Sequence, residues 1–214
     1  LALSGNRTAC SAGSTMYSAA VPNGRCHWPF QTHTRSPTRD GGTPAPTAVE
    51  LFARMARDER SAVVRLYLAA ALQRLDHAAR WNIAAALLTH AEDAADQNLP
   101  TMIWLGVEPL VAGNPALALE RASSGSIPMV ARYVARRTVD ADALEPLVAA
   151  VGKPSKMHAS LLEGMRDGLE GRVDLAPPTA WASTFERLKR SPDSRVARLA
   201  GEVAEQFGDT ESAR

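Results

Sequence analysis

The sequence is poor in aromatic residues, and this shortage bears on the kind of fold it can form. Aromatic residues make up 5% of the 214 residues and hydrophobic residues 45%, so alanine and leucine dominate the apolar set. β-Strands are usually richer in β-branched and aromatic side chains. The composition therefore favours helices that pack closely through small side chains.

Cysteine is also scarce, which excludes several kinds of site. Two cysteines, Cys10 and Cys26, are too few for a structural zinc site, which needs about four ligands at characteristic spacing. Cys26 is followed by His27, as at the end of a c-type haem attachment motif, but Asn23 stands where that motif requires a cysteine. We therefore expect no covalent haem and no other cofactor in this chain.

The net charge of +1 is small, although the charges are unevenly distributed. Residues 1–47 contain four arginines and one acid, which gives +3, and the remaining residues hold 20 basic and 22 acidic groups, which gives −2. Neither part has the strongly basic surface that a phosphate backbone requires. We therefore expect no nucleic-acid partner.

Long apolar runs are absent as well. No run approaches the roughly 20 residues of a membrane-spanning helix, so we expect no membrane span in this chain. The opening segment LALSGNRTACSAGS has no basic region followed by an apolar one, so it lacks the pattern of a signal peptide. Because the chain begins with leucine rather than methionine, we interpret it as a fragment of a longer protein.

The composition divides the chain into a segment 1–47, a domain 48–208 and a tail 209–214. The first segment is rich in Ser, Thr, Pro, Gly and Arg and has no helical or alternating period, which is typical of disorder. We interpret it as disordered, or as foreign to the domain, for example through a shifted reading frame. From residue 48 onward, apolar residues recur at the three- and four-residue spacing of helices.

These periodic segments predict a succession of short antiparallel helices joined by tight loops. Ser61, Asn98 and Asn114 are suited to the N-caps of three of them. Gly164 and Gly168 lie on one face of a later helix, where they permit close packing. The predicted helices cover 48–57, 61–75 and 78–88, three that start near positions 100, 115 and 128, then 140–151, 155–170, 181–188 and 192–207.

Three of the helix starts resemble one another: VVRLYLA at 63–69, MVARYVA at 129–135 and RVARLAG at 195–201. Their shared valines, Val64, Val130 and Val196, are 66 residues apart. A turn followed by Val-Arg is typical of the second helix of a HEAT repeat, although one such repeat has only about 40–47 residues. We predict an all-α fold, a HEAT- or armadillo-like α-solenoid, with a closed helical bundle as the alternative.

The densest polar cluster lies in the loop 90–98 and contains His90, Glu92, Asp93 and Asp96. Oxygen-rich loops bind Ca²⁺ and neighbouring acids perform acid–base chemistry, so a metal-dependent enzyme is one hypothesis. The glycine and terminal glutamate of an EF-hand loop are absent, however. We favour a solvated loop whose acids cap the next helix. Because no nucleophile elbow or phosphate-binding loop occurs either, we predict no enzymatic activity for this chain.

We expect a partner-binding surface near the helix starts and polar loops. Trp104 and Glu108 are four residues apart on one helical face and form part of a groove in this hypothesis. The alternative places Trp104 in the core and pairs Glu108 with a nearby arginine such as Arg80 or Arg65, because aromatic residues at helical spacing are usually core. The candidate contact residues are Arg65, Tyr67, Trp104, Glu108, Arg132 and Tyr133.

Several segments resemble one large family. VVRLYLAAALQRL, RWNIAAALLTHAEDAADQNLPTMIWLGVEPLV and IPMVARYVARR, between residues 58 and 137, are similar to the PVC-type haem-binding, membrane-bound dehydrogenase proteins. LLEGMRDGLEGR at 161–172 and WASTFERL at 181–188 also fit that family. The resemblance covers about residues 48–208, and it is most specific around HAEDAADQNLPTMIW.

Members of that family combine a β-propeller of the sugar-dehydrogenase kind, an array of HEAT-like helices and a C-terminal c-type haem domain. The resemblance implies that this chain is a non-catalytic helical spacer in a larger bacterial haem-containing oxidoreductase. It implies the dehydrogenase and cytochrome domains as partners, and the periplasm or cell envelope as the location. The family's redox residues belong to the other domains and are carried over to no position here. A free-standing protein- or peptide-binding adaptor is the alternative.

Overall fold

The computed structural model describes residues 46–172 and 175–208. Within these residues there are ten α-helices, two short 3₁₀ helices and no strand, which confirms the all-α prediction. All of the described residues lie within one compact unit of the chain. The predictions for the segment 1–47 and the tail 209–214 lie outside the described residues, except that the first helix begins at Pro46.

Most helices agree with the predicted segments to within a few residues. The main difference is the segment 61–75, in which the α-helix ends at Ala71 and a 3₁₀ turn follows at Leu72–Arg74. A second 3₁₀ turn, Ala91–Ala95, occupies the polar loop. The α-helices are α1 (Pro46–Asp58), α2 (Ala62–Ala71), α3 (His77–Leu87), α4 (Leu99–Val111), α5 (Pro115–Ser124), α6 (Pro128–Asp140), α7 (Leu144–Val151), α8 (His158–Leu169), α9 (Trp181–Lys189) and α10 (Ser194–Gln206).

Polar side chains set several helix starts, because the first N–H groups of a helix have no partner within it. The Asn114 side chain accepts a hydrogen bond from the Leu117 N–H at 3.1 Å, which confirms the predicted cap of α5. Asp76 caps α3 in the same way by accepting from the Ala79 N–H at 2.9 Å. Ser61 lies at the predicted N-cap of α2, but its side chain makes no capping bond.

The helices pack in two rows. In the even row, each of α2, α4, α6 and α8 contacts the next even-numbered helix, and in the odd row α1, α3, α5 and α7 do the same with the next odd-numbered helix. The 66-residue spacing of the three valines now has a simple origin, since α2, α6 and α10 start at residues 62, 128 and 194. The spacing therefore covers two helix pairs rather than one.

The core is one continuous cluster of buried apolar side chains that reaches from Ala56 in α1 to Ala204 in α10. Trp81 and Trp181 belong to it, at 7% and 3% exposure. Trp104 is only partly buried and packs at the edge of this cluster. None of the helices in the described part of the chain is long and apolar enough to cross a membrane.

The helices α6 and α8 approach each other closely because α8 carries two glycines on the contacting face. A Cβ atom on Gly164 would overlap the carbonyl oxygen of Arg132 and lie 2.9 Å from the Cβ of Ala135. A Cβ atom on Gly168 would lie 2.7 Å from the Cβ of Val139. The prediction of close packing at these glycines is therefore confirmed.

Candidate docking surface

Aromatic residues occupy the same position in three successive helices of the even row. Tyr67, Trp104 and Tyr133 each lie five residues after the first residue of α2, α4 and α6. Tyr67 is 73% exposed, Tyr133 is 38% exposed and Trp104 is half-buried. Because α2 contacts α4 and α4 contacts α6, the shared position indicates that the rings lie along one side of the row.

The rings of Trp104 and Tyr133 contact each other edge-to-face, with centroids 5.5 Å apart and an interplanar angle of 67°. Such pairs contribute about 0.5–1.5 kcal/mol beyond the burial of their area. Together with Arg136, Arg137 and Asp140, they line a cavity of about 240 Å³. The two helices thus present a preformed pair of aromatic rings with charged side chains beside it.

Two further apolar side chains extend this surface. Val63 is 62% exposed and precedes Tyr67 by four residues, so the two share one face of α2. Leu105, next to Trp104 in α4, is 47% exposed. Groups of exposed apolar side chains, in contrast to single ones, mark interaction sites. We call the set Val63, Tyr67, Trp104, Leu105 and Tyr133 the aromatic face.

Glu108 lies near this face but pairs with a different arginine from those predicted. The Nε of Arg137 donates to Glu108 Oε1 at 2.7 Å, which joins α4 to α6. The Arg80 Nε instead donates to a backbone carbonyl in the turn before α3, and burial lowers the pKa of its guanidinium. Arg65 is also engaged elsewhere. Glu108 thus pairs with an arginine of a neighbouring helix, as that alternative expects, but the arginine is Arg137 rather than Arg80 or Arg65.

Arg132 joins α6 to α8 through Asp167, with Nε to Oδ2 at 2.6 Å. Arg166 also donates to Asp167, at 3.2 Å. Burial raises the pKa of Asp167, but the hydrogen bonds from the two arginines outweigh it, so the net pKa lies below its usual value. The Arg132 side chain is still 42% exposed, so it remains reachable by a partner at the border of the aromatic face.

Arg65, one of the predicted contact residues, is buried and does not belong to the surface. Its side chain is 2% exposed, and its Nε and Nη2 donate to the two carboxylate oxygens of Asp93 at 2.6 and 2.5 Å. Its Nη1 donates to the carbonyl of Glu59 at 2.8 Å. Asp93 is itself 2% exposed, so the pair is a buried bidentate clamp between α2 and the loop 90–98. The hydrogen bonds to Asp93 raise the pKa of the Arg65 guanidinium.

The other polar residues of this loop also bind protein atoms. The His90 Nε2 lies 2.8 Å from the carbonyl oxygen of Ala56, and its Nδ1 lies 3.0 Å from the carboxylate of Glu92. Asp96 accepts hydrogen bonds of 2.8 Å from two backbone N–H groups at the start of α4, which lower its pKa. The prediction that an acid of this loop caps the next helix is confirmed for Asp96, whereas Asn98 makes no capping bond.

The structure does not assemble the four candidate ligands into one site. Asp93 faces Arg65, Asp96 caps α4, and Glu92 lies between the His90 ring, at 3.0 Å, and the Arg65 guanidinium, at 3.5 Å. Across residues 46–172 and 175–208, no group of three or more His, Cys, Asp or Glu side chains is placed to hold a metal ion. The described residues therefore contain no preformed metal centre of the kind that the hypothesis of a metal-dependent enzyme requires.

The spacing of residues in the sequence already indicates part of the aromatic face. Tyr67 and Tyr133 are 66 residues apart, the same interval as the valines three positions before them. Reading both intervals together places the tyrosines at equivalent points of two helices. Val63 and Leu105 had no such signal, because their exposure depends on which neighbours cover each helix.

Comparisons with known proteins find no match for this chain among protein-family models, curated proteins or solved structures.

Proposed function

We propose that this chain is a non-catalytic helical-repeat segment, an α-solenoid of the HEAT or armadillo kind, that docks protein domains on its aromatic face. The packing of the helices in two rows supports the repeat architecture, because each element of a solenoid contacts its counterpart in the next repeat. The observation that carries the docking role is the aromatic residue at the same position of α2, α4 and α6.

Aromatic side chains of this kind suit protein recognition. Tyrosine and tryptophan supply a large contact area at low cost in conformational entropy, and they are enriched among the residues that dominate binding energies. Tyr67, at 73% exposure, gains its burial only when something covers it. The ion pair between Glu108 and Arg137 links α4 to α6 next to the rings, which favours a face that is rigid before binding.

The domains that dock are, in this proposal, the dehydrogenase and c-type cytochrome domains of a larger bacterial haem-containing oxidoreductase. The support is the resemblance of residues 48–208 to the PVC-type haem-binding, membrane-bound dehydrogenase proteins. In that setting the helical segment holds two redox domains at a fixed distance, and the electron transfer takes place outside it. The compartment would be the periplasm or the cell envelope.

The test begins with the parent locus. The domains encoded on either side are produced as separate chains, and their binding to the full chain is measured by calorimetry. We expect Tyr67→Ser together with Tyr133→Ser to weaken binding by about tenfold or more. The matched control is Leu51→Ser, which removes an apolar side chain that is 46% exposed on α1 of the odd row and should leave binding unchanged.

Equal weakening by the control variant, or no binding of either neighbouring domain, would contradict the docking face. A locus without propeller or haem domains would remove the redox context. Binding of another protein that still depends on Tyr67 and Tyr133 would then favour the free-standing adaptor.

A further inference from the structure

A second groove lies in the odd row and involves none of the residues of the aromatic face. Residues of α1, α3 and α5 line it, and its volume is about 530 Å³. Its floor is one face of α3, formed by Asn82, Ala85, Ala86 and Thr89 at helical three- and four-residue spacing. Because two of these four residues are alanines, the floor is low between the longer side chains of α1 and α5.

Arginine side chains line the groove on both sides of this floor. Arg54 and Arg57 come from α1 and Arg121 comes from α5, and Glu50 is the one acid among the lining residues. Arg54 and Arg57 are exposed, and neither has an ion pair or hydrogen bond of its side chain within the described parts of the chain. The Nε of Arg121 is buried without an acceptor there, and its guanidinium lies 3.7 Å from the exposed carboxylate of Glu120.

These arginines contrast with those of the even row. Arg132, Arg137 and Arg166 each donate to a carboxylate on a neighbouring helix of that row. The groove therefore concentrates positive charge and unused N–H donors, and guanidinium groups match carboxylates in a bidentate geometry. Three arginines do not form the extended basic surface that a nucleic-acid backbone requires, which favours an acidic protein segment.

We infer that this groove binds an extended acidic peptide segment of a partner protein. Carboxylates of the peptide pair with Arg54 and Arg57 on one wall and with Arg121 on the other, while small side chains lie against Ala85 and Ala86. An extended chain fits better than a single small anion, since the groove spans three helices and has two alanines in the floor between its charged walls. This site is independent of docking on the aromatic face.

The test uses the full chain and a displayed library of random peptides, and affinities of the selected peptides are measured by fluorescence anisotropy. We expect the selected peptides to carry several acidic residues, and the double variant Arg54→Gln, Arg57→Gln to bind them about tenfold more weakly. The matched control Arg60→Gln, Arg74→Gln removes the same charge from two exposed positions outside the groove. It should change the affinity by less than about twofold, as expected for charges remote from the contact.

A third variant separates the groove from charge alone. Ala85→Leu keeps every arginine and fills the floor, so we expect a loss of about tenfold. Because Arg54 and Arg57 are exposed, their replacement should leave thermal unfolding unchanged, and a loss of binding then reports the groove.

Three outcomes would overturn the inference. The first is selection of neutral or basic peptides, and the second is an equal loss of affinity in the matched control. The third is complete displacement of the peptide by inorganic phosphate at a similar concentration, which would assign the arginines to a small-anion site.

Discussion

Two helix pairs of the even row differ in how they are joined: α2 with α4, which we call the aromatic end, and α6 with α8, which we call the glycine end although α10 follows it. At the end formed by α6 and α8, Gly164 and Gly168 bring the backbones together, and there is no room for a side chain at these two positions. At the end formed by α2 and α4, the helices carry the large side chains of Tyr67, which is exposed, and Trp104, which is half-buried. The glycine end thus uses its residues for internal packing, whereas the aromatic end retains apolar surface for a partner.

Charges are paired within the chain at both ends, since Arg65 pairs with Asp93 and Arg137 pairs with Glu108 at the aromatic end. At the glycine end, Arg132 pairs with Asp167 and Arg166 pairs with Glu202, so the arginines between these helices are neutralised within the chain. The hydrogen bond from Arg166 lowers the pKa of Glu202. A surface whose charges are already paired gains little from a charged partner, because each new contact would have to replace an existing one. The exposed aromatic side chains, rather than the charges, therefore favour docking at the aromatic end.

The largest effect is expected at the buried clamp that ties α2 to the loop before α4. Asp93→Ala should reduce the free energy of unfolding by about 3–5 kcal/mol, because it removes the buried bidentate partner of Arg65 and leaves the guanidinium beside the mostly exposed carboxylate of Glu92, 3.5 Å away. Glu108→Gln, which breaks the more exposed pair with Arg137, should cost at most about 1 kcal/mol. Urea unfolding of the full chain measures both. Similar losses in the two variants would show that the buried Arg65–Asp93 pair stabilises the fold no more than the exposed Arg137–Glu108 pair does.

The glycine end is tested by Gly164→Ala. The added methyl group meets the backbone of α6, so we expect a loss of about 3 kcal/mol in the free energy of unfolding. Gly201→Ala in α10 is the matched control, because a Cβ atom there has no neighbour within 4 Å. It should stabilise the helix by up to about 1 kcal/mol. A neutral result for Gly164→Ala would mean that α6 and α8 can separate without cost.

Trp81 is buried and Trp104 is half-buried, so replacing each by alanine tests the difference between core and surface. Trp81→Ala should cost about 3–5 kcal/mol, as for a core aromatic residue. Trp104→Ala should cost about 2 kcal/mol, because its side chain is only half-buried and loses mainly the contact with Tyr133. Thermal unfolding of the full chain ranks the two. An equal loss would place Trp104 in the core and remove it from the docking surface.

A smaller, pH-dependent effect is expected for Asp167→Asn. The pKa of Asp167 is lowered on folding, so its charge contributes stability above its unfolded pKa of about 3.9 and loses that contribution as the pH falls through the folded value. The variant should be about 1 kcal/mol less stable near neutral pH, a value limited by solvent screening of the exposed Arg132. The gap should close below about pH 4 in a series of urea titrations. A gap that stays constant with pH would assign the loss to shape rather than charge.

Much of the helical architecture could be read from local pattern. The cap at Asn114, the glycines that face α6 and the valines at equivalent helix positions all depend on residues a few positions apart, and local backbone chemistry decides them. The choice of N-cap at α4 could not be read so well. Asn98 and Asp96 both have suitable side chains, and the bend of the loop decides that the carboxylate of Asp96 accepts the free N–H groups.

Which side chains of the candidate surface are exposed could be predicted even less well from local pattern. Tyr67 and Arg65 are two residues apart in one helix and looked equally accessible, yet Tyr67 is 73% exposed and Arg65 is 2% exposed. The difference arises because Asp93, 28 residues farther along the chain, lies against one side of α2. Helical spacing shows that the two side chains point to different sides, but not which side another segment covers.

The sequence by itself determined the helices, most of their ends and the points at which two of them touch, because those features depend on interactions between near neighbours in the chain. Only the tertiary structure decided which charged side chains are buried, which carboxylate each arginine selects and where grooves form. A guanidinium reaches far enough to choose among several partners, and a groove needs walls from helices that are distant in sequence. Packing of the two rows supplies both conditions, so the surfaces proposed here follow from the fold rather than from any local motif.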